Sequence, residues 1–388
     1  MSDDSRPSAG ELAADEADRA WMITAIAFGS RGGRAVRPNP RVGCVLVRGG
    51  EVVGRGWHAQ AGGPHAEAAA LSEAGERAAG ATAYVTLEPC NHYGRTAPCT
   101  SALIRAGVKR VVIGCRDPNA VAAGGVEALR AGGVAVDLGV ETTACEALAR
   151  VFLVNARSGR AWVRLKLAVT LDGRIAATDG TSRWVTGTAA RNQVHRWRAN
   201  ADAVLIGSGT ALADTPRLDV RGIDCDRQPT RVVIDRRLRL QPGTPLTDVR
   251  AQATLLITDR DLAGDPAATR LRDEGVELVR VPAGRGVGAD GGAVWLHAVL
   301  AELLGRGLCS VLVEGGAALA AALVAADLVD RLDLFVAPKL LGAGQSLIGD
   351  LGVTTIAAAR SFEIDLLERV GEDAHVGLVP RRLTCSPD

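Results

Sequence analysis

Four side chains in the first third of the chain have the types and spacing needed to bind a metal ion and use it: His65, Glu67, Cys90 and Cys99. One imidazole and two thiolates make three protein ligands for a tetrahedral zinc ion, and the fourth position is left for water, as in catalytic sites. Bound zinc brings the pKa of that water towards neutrality and so supplies hydroxide. Glu67, two residues after His65, can then transfer protons without being a ligand.

Two other interpretations of these residues stay open. His65 can begin a helix by chance while both cysteines are buried apolar thiols, since buried cysteine is common. A structural zinc site needs a fourth ligand, for which His92 is the candidate. His-x-Glu opening a helix, followed by Pro-Cys ending a strand, instead indicates a zinc deaminase, although eight residues (91–98) separate the cysteines where Cys-x-x-Cys is usual.

The runs around these residues resemble the cytidine deaminase-like superfamily: NPRVGC (39–44), PHAE (64–67) and TLEPC (86–90). The continuation NHYGRTAPC (91–99) is similar to the deaminase domain of bacterial bifunctional riboflavin-biosynthesis deaminase–reductases, with mild departures at Asn91 and Ala97. The resemblance implies an α/β/α domain in which His65, Cys90 and Cys99 bind Zn²⁺ and Glu67 is catalytic. It also implies that a pyrimidine ribosylamine 5′-phosphate is bound by Asn39, His92 and Arg95, because arginine suits phosphate oxygens.

The second half carries a weaker signal, a strand that runs through Glu314 into Gly315 and Gly316 and then into an Ala-rich helix. Backbone N–H groups at such a helix start can bind an anion. No Gly-x-Gly-x-x-Gly follows the first strand of either half, so the standard dinucleotide fingerprint is absent. Taken alone, a Gly-Gly pair more often marks a plain turn.

Further runs resemble the reductase half of the same family, which has a dihydrofolate reductase-like α/β fold and uses NADPH: LKLAVTLDG (165–173), SRWVT (182–186), ADTPRL (213–218) and APKLLG (337–342). The resemblance implies substrate contacts at Ser182, Arg198, Leu218, Arg221 and Glu314. It implies NADPH contacts at Ala168, Trp184, Thr210, Asp214, Gly316, Ala317, Ala318, Leu319, Ala320, Ala321 and Ala322. Thr215 stands where the family commonly has a second acid.

The family reductase converts a ribosyl group to a ribityl group, which needs a hydride and a proton. Lys166 and Asp214 are the polar candidates for supplying the proton. The plainer interpretations are that Lys166 is a solvated strand lysine and Asp214 a turn aspartate. Arg236 and Arg237 come just after a predicted strand, and one of them is a hypothetical contact for the 2′-phosphate of NADPH, as arginine is in other dinucleotide folds. A solvated turn is the alternative.

The elements that must position these residues alternate strand and helix, which indicates mostly parallel sheets covered on both faces. We predict a disordered tail over 1–18, a deaminase domain over 19–156 and a reductase domain over 157–388. The first domain should open with a hairpin, Val42–Val47 and Glu51–His58, turning at Gly49-Gly50. A helix over His65–Ala79, a loop over Ala283–Gly292 and a late edge strand over Val376–Val379 are further expectations.

Composition limits the partners. The 388 residues carry a net charge of +1 and only 3% aromatic side chains, which argues against nucleic-acid and membrane surfaces. No signal peptide or membrane span is predicted, and eight cysteines in so long a chain indicate reduced thiols, so we expect a cytoplasmic enzyme, one that the family suggests is a homo-oligomer. A nucleoside or tRNA base deaminase with an appended domain, and a non-catalytic nucleotide-binding C-terminal module, are the competing functions.

Overall fold

The computed structural model describes residues 9–93, 97–119, 121–283 and 289–381, with side chains from residue 16 onwards and not at 289–291. The chain forms two compact units that divide between Gly159 and Arg160. The division falls slightly after the predicted 156/157 because the last helix of the first unit continues to Ser158. That helix ends at Gly159 in a left-handed conformation (φ 62°), a common helix stop.

The first unit is built on a five-stranded sheet in the order β2-β1-β3-β4-β5. The first two strands form the predicted antiparallel hairpin, and Gly49 and Gly50 both have positive φ at its two-residue turn. The sheet is less parallel than predicted, since only β3–β4 and β4–β5 pair in parallel. The strands are β1 Gly43–Arg48, β2 Glu51–Trp57, β3 Thr82–Leu87, β4 Arg110–Cys115 and β5 Ala135–Leu138.

Helix α1 corrects the predicted tail, because residues 9–18 are helical rather than disordered. The acidic composition of this segment suggested a tail, but Asp18 is buried. Its carboxylate accepts hydrogen bonds from the Tyr84 hydroxyl (2.7 Å) and from two Arg110 nitrogens (2.9 and 2.6 Å). The helices of this unit are α1 Ala9–Gly29, α2 Ala66–Ala74, α3 Cys99–Arg105, α4 Gly125–Ala131 and α5 Thr142–Ser158.

The second unit is built on a nine-stranded sheet in the order β11-β10-β9-β8-β12-β6-β13-β16-β15, parallel from β11 to β13. The predicted edge strand, Val376–Val379, lies inside β16, which pairs on its far side with β15. We missed β15 because its side chains are largely exposed, so no apolar face marks it. The strands are β6 Trp162–Thr170, β7 Arg174–Ala176, β8 Ala203–Gly207, β9 Thr230–Ile234, β10 Thr254–Thr258, β11 Glu277–Arg280, β12 Ser310–Val313, β13 Arg331–Ala337, β14 Gln345–Ser346, β15 Phe362–Val370 and β16 Asp373–Pro380; β7 and β14 form a separate pair.

Five helices accompany this sheet in the described ranges. Helix α9 begins inside the predicted 283–292 loop, because the buried face of Trp295, Val299 and Leu303 outweighs the poor helix propensity of the preceding glycines. The five described helices of this unit are α6 Thr188–Asn200, α7 Ser208–Asp214, α8 Pro266–Asp273, α9 Ala289–Gly305 and α10 Ala317–Ala325. Within the described residues, no helix has the length and hydropathy needed to cross a bilayer.

The parallel strands of the second unit deliver their following loops to one edge of the sheet. Helix α7 follows β8 directly, and the turn from Glu314 to Gly316 joins β12 to α10. In α/β sheets, ligands bind in the crevice outside the carboxyl ends of such strands. Of the predicted reductase residues, Glu314 and Gly316 lie in the turn after β12, and Thr210 and Asp214 lie in helix α7.

The close approach of α1 to β1 generates a stability prediction. A Cβ atom at Gly43 would lie 1.9 Å from the Ala25 carbonyl oxygen and 2.6 Å from the Gly29 nitrogen, both backbone atoms that cannot move independently. We expect Gly43→Ala to destabilise the first unit by about 3 kcal/mol or more, as overpacking does. Urea unfolding measures the change, with Gly33→Ala as the control because a Cβ there meets nothing within 4 Å. Equal midpoints for the two variants would contradict the described packing.

Candidate active sites

The first site brings together the three predicted metal ligands. Cys90 Sγ lies 3.6 Å and Cys99 Sγ 3.3 Å from His65 Nδ1, and the three ligand atoms are all within 4.8 Å of one another. His65 immediately precedes α2, Cys90 follows β3, and Cys99 is the first residue of α3. His65 meets the two cysteines because β3, which precedes Cys90, lies inside the sheet, and α2, which follows His65, packs against the neighbouring hairpin.

Two features that the sequence analysis missed hold these ligands in place. Gly56 allows α2 to touch β2, since a Cβ there would be 2.2 Å from the Ala66 carbonyl oxygen. The buried carboxylate of Glu88 accepts hydrogen bonds from the backbone N–H groups of Val126 (3.1 Å) and Asp117 (3.3 Å), which fixes the chain just before Cys90. The only sequence signal for Glu88 was its place beside Pro89-Cys90.

The donor set fits zinc, which is bound by imidazole and thiolate. The pKa of the Cys90 thiol lies well below its ordinary value because Cys99 and then His65 hydrogen bond to its sulfur. That same contact with Cys90 raises the pKa of His65. Of the described residues, these three alone form such a ligand group, so His92 is not placed as a fourth ligand.

Glu67 lies beside the ligands but is not one of them. It is buried in the first turn of α2, and the Cys99 thiol is within hydrogen-bonding reach of its carboxyl group. Burial raises the pKa of Glu67 to about 7. Within the described ranges, no cation forms an ion pair with this carboxyl group, which lies next to the predicted metal site.

Asn39 is oriented by a histidine that the sequence analysis overlooked. His58 Nδ1 lies 2.9 Å from the Pro64 carbonyl oxygen, so it carries the proton, and His58 Nε2 accepts from Asn39 Nδ2 at 3.0 Å. Burial lowers the pKa of His58, which keeps the ring neutral and able to accept. The amide nitrogen of Asn39 is thus directed at His58.

The other two predicted deaminase contacts are less defined. His92 is half-buried, and its Nδ1 atom is enclosed without a hydrogen-bond partner among the described residues. Arg95 lies outside the described residues. Every cysteine that the structure describes, at 44, 90, 99, 115, 145, 225 and 309, is a free thiol.

The second site is centred on a buried ion pair. Arg198 on α6 binds both carboxylate oxygens of Glu314 (2.6 and 2.8 Å) and also donates to the Asp219 carbonyl oxygen (2.8 Å). Although burial opposes ionisation of Glu314, the charge of Arg198 holds the pKa of that carboxyl group below its ordinary value. Burial lowers the pKa of Lys166 on β6, against the attraction of Glu314, so this lysine lies in the same group of charges rather than in solvent.

The Gly-Gly turn forms a close contact between β8 and α10. A Cβ on Gly315 would lie 3.1 Å from the Ile206 Cα atom, and one on Gly316 would lie 3.1 Å from Thr210 Oγ1. Gly316 also has a positive φ of 41°. Glycine is therefore needed twice here, and Thr210 lies next to the start of α10 at the carboxyl edge of the sheet.

The loop that carries Ser182 and Trp184 is held by three cations. Lys339 Nζ donates to the carbonyl oxygens of Trp184 (2.8 Å) and Val185 (2.9 Å). The Arg191 guanidinium lies 4.5 Å from the centre of the Trp184 ring, which is 60% exposed. Arg183 donates to the Asp214 carbonyl oxygen (2.8 Å) and so links this loop to the end of α7. Nothing in the sequence analysis had singled out Lys339.

The remaining predicted residues have varied surroundings. Arg236, after β9, is bound to the Asp259 carboxylate and lies 5.2 Å from the Trp295 ring centre. Arg221 is paired with Asp219 at 2.6 Å, and Leu218 is buried with a positive φ of 56°. Ala168 is half-buried near the end of β6.

Comparisons with known proteins identify a family for each unit. Residues 15–115 match the family model of the cytidine and deoxycytidylate deaminase zinc-binding region, and residues 161–376 match that of the RibD C-terminal domain. The chain is 40% identical over 376 residues to the riboflavin biosynthesis protein RibD of Escherichia coli (strain K12), covering 93% of this chain and 99% of the relative. Its identity to the protein of the same name from Aquifex aeolicus (strain VF5) is 38% over 359 residues, covering 92% and 97%.

Solved structures of similar proteins point to the same family. RibD of Acinetobacter baumannii (form 1) has a TM-score of 0.80 and 37% identity and covers 95% of this chain and 100% of that one. A diaminohydroxyphosphoribosylaminopyrimidine deaminase/5-amino-6-(5-phosphoribosylamino)uracil reductase from Thermotoga maritima has a TM-score of 0.80 and 33% identity, with 95% and 99% coverage. The predicted fold class is confirmed, and the chain belongs to the bifunctional riboflavin-biosynthesis family that joins a zinc-binding deaminase domain to a reductase domain.

Proposed function

We propose that residues 19–156 deaminate 2,5-diamino-6-ribosylamino-4(3H)-pyrimidinone 5′-phosphate and that residues 157–388 then reduce the product, 5-amino-6-(5-phosphoribosylamino)uracil, with NADPH. The observation that carries the proposal is the presence in one chain of two separate polar centres. One is the His65, Cys90 and Cys99 group beside Glu67. The other is Lys166 beside the pair of Glu314 and Arg198.

In the deaminase, one water molecule replaces the amino group and ammonia leaves. Zinc, when held by His65, Cys90 and Cys99, supplies water activated for attack at neutral pH. Glu67 is buried within hydrogen-bonding reach of Cys99 and forms no ion pair among the described residues, so it can take a proton from the water and deliver it to the leaving amine. Asn39, fixed by His58, would hold the edge of the pyrimidine ring, and His92 and Arg95 would bind the phosphate.

In the reductase, a hydride is added to C1 of the ring-opened ribosylamine and a proton completes the ribityl group. NADPH supplies the hydride. Lys166 is half-buried and within electrostatic range of Glu314, so its ammonium group can supply a proton at this site, with Asp214 as the second polar participant. Ser182, Arg198, Leu218, Arg221 and Glu314 would line the substrate.

The cofactor would lie along the carboxyl edge of β6, β8 and β12. Ala168, Trp184, Thr210, Asp214 and the stretch from Gly316 to Ala322 are the proposed contacts, because backbone N–H groups at the start of a helix such as α10 can bind an anion. Arg236 would reach a 2′-phosphate only by sharing its guanidinium with Asp259. A homo-oligomer also stays a prediction, for which Ile364 and Leu367, 65% and 68% exposed on edge strand β15, are the apolar side chains to cover.

The first test separates deamination from reduction. We expect Glu67→Gln to lower ammonia release by about 10³-fold, because loss of a general acid–base removes about 10²–10⁴-fold. NADPH oxidation with the deaminated substrate should stay unchanged. Removing the metal with a chelator should have the same selective effect, reversed by added zinc. Loss of both activities in a folded Glu67→Gln protein would contradict the assignment of two independent centres.

The second test addresses the reductase. Lys166→Met keeps the length of the side chain but cannot hold a proton, and we expect it to reduce NADPH oxidation by about 10²-fold or more. Ammonia release should be unaffected. The matched control is Lys109→Met, an exposed lysine of the first unit. Wild-type NADPH oxidation by Lys166→Met would exclude Lys166 from catalysis.

The third test concerns the loop over Ser182–Thr186. Lys339→Met removes two charged hydrogen bonds, so we expect the KM values for NADPH and for substrate to rise about tenfold. The turnover number should fall less, because the reacting groups remain. Lys339→Arg should recover part of the loss. A fall in turnover at unchanged KM would refute a role in holding this loop.

A further inference from the structure

His195 is a buried side chain that the proposed reaction does not use. It lies on α6 and is 9% exposed, and its Nδ1 atom is enclosed without a hydrogen-bond partner. No hydrogen bond to its Nε2 atom is formed within the described part of the chain either. Buried polar groups in proteins are nearly always hydrogen-bonded, so an imidazole enclosed in this way needs an explanation.

The charges around His195 are those of the reductase centre. Burial, and then Arg198 and Arg221, lower the pKa of His195, against Glu314 and Asp219. Arg198 lies one helical turn further along α6, on the same face of the helix. The other three charged groups come from the loop after α7 and from the turn after β12.

The two carboxylates are already neutralised without His195. Glu314 takes both of its hydrogen bonds from Arg198, and Asp219 is paired with Arg221 (2.6 Å) and Arg217 (3.1 Å). Three arginines and Lys166 therefore face only two carboxylates, which leaves an excess of positive charge. A dianion would balance it, and an imidazole beside that dianion would gain the hydrogen-bond partner it lacks.

We propose that His195 contacts the 5′-phosphate of the reductase substrate and becomes protonated when that phosphate binds, forming one anion site with Arg221. The inference rests on the proposed function, because it assigns the phosphate end of that substrate. It makes His195 a substrate-binding residue rather than a participant in hydride transfer.

The pH dependence follows from the sign of the charges. The neighbouring arginines favour the neutral ring in the free protein, whereas a bound dianion favours the imidazolium ion. Binding of phosphate should therefore take up a proton, and the contribution of His195 to affinity should grow as the pH falls. A lower pH also protonates the phosphate itself, which weakens its binding. The informative quantity is therefore the difference in phosphate affinity between the wild type and a variant at each pH.

The test is calorimetric titration of the full chain with D-ribose 5-phosphate and with D-ribose, in two buffers of different ionisation enthalpy. We expect His195→Gln to weaken ribose 5-phosphate binding about tenfold at pH 6.5 and less at pH 8, while ribose binding is unchanged. The wild type should take up more protons per bound ribose 5-phosphate than the variant. His297→Gln, which changes an exposed histidine of α9, is the control and should match the wild type.

Equal affinities and equal proton uptake for the wild type and His195→Gln would overturn the inference, as would failure of the wild type to bind ribose 5-phosphate. If His195→Gln does not fold, His195→Asn serves, and a wild-type proton uptake that is no greater with ribose 5-phosphate than with ribose would also refute it. NADPH oxidation by the wild type tests the proposed function separately. If the reductase is active but His195→Gln leaves ribose 5-phosphate binding unchanged, only this inference is refuted.

Discussion

A buried carboxylate keeps its charge only where cations or N–H groups neutralise it, and both sites are organised around this constraint. Glu314 is paired through both oxygens with Arg198, and the pKa of its carboxyl group is lowered. Glu67 has no such partner, and burial raises its pKa to about 7. Two buried glutamates thus receive opposite environments, one suited to a fixed negative charge and the other to proton transfer.

A third buried glutamate, Glu88, receives its hydrogen bonds from backbone N–H groups, whereas Glu314 receives them from an arginine. Its oxygens accept hydrogen bonds from the backbone at Asp117 and Val126. These bonds tie the strand end that leads to Cys90 to the loop after β4 and to the start of α4. The position of Cys90, a candidate metal ligand, therefore depends on a residue that is not a member of the candidate ligand group.

Glycines and cations position the elements in a complementary way. In the first unit, Gly43 and Gly56 let helices touch strands directly, which fixes where α1 and α2 lie. In the second unit, Lys339 and Arg191 hold the exposed loop around Trp184. Close backbone contact thus positions helices of the first unit, whereas charged side chains position this loop of the second.

The sequence by itself determined many local elements and pointed to the candidate metal ligands. Alternation of apolar residues and turn glycines is a short-range property, so the hairpin at Gly49-Gly50 and most parallel strands could be predicted, and His65, Glu67, Cys90 and Cys99 were recognisable from spacing. Only the tertiary structure decided the partners. Glu314 and Arg198 are 116 residues apart, and Asp18 and Arg110 are 92 apart. No local pattern reports such a contact, because it depends on which strands become neighbours. For the same reason β15, the helical residues 9–18, and the surroundings of His195 and Lys339 could be found only from the folded chain.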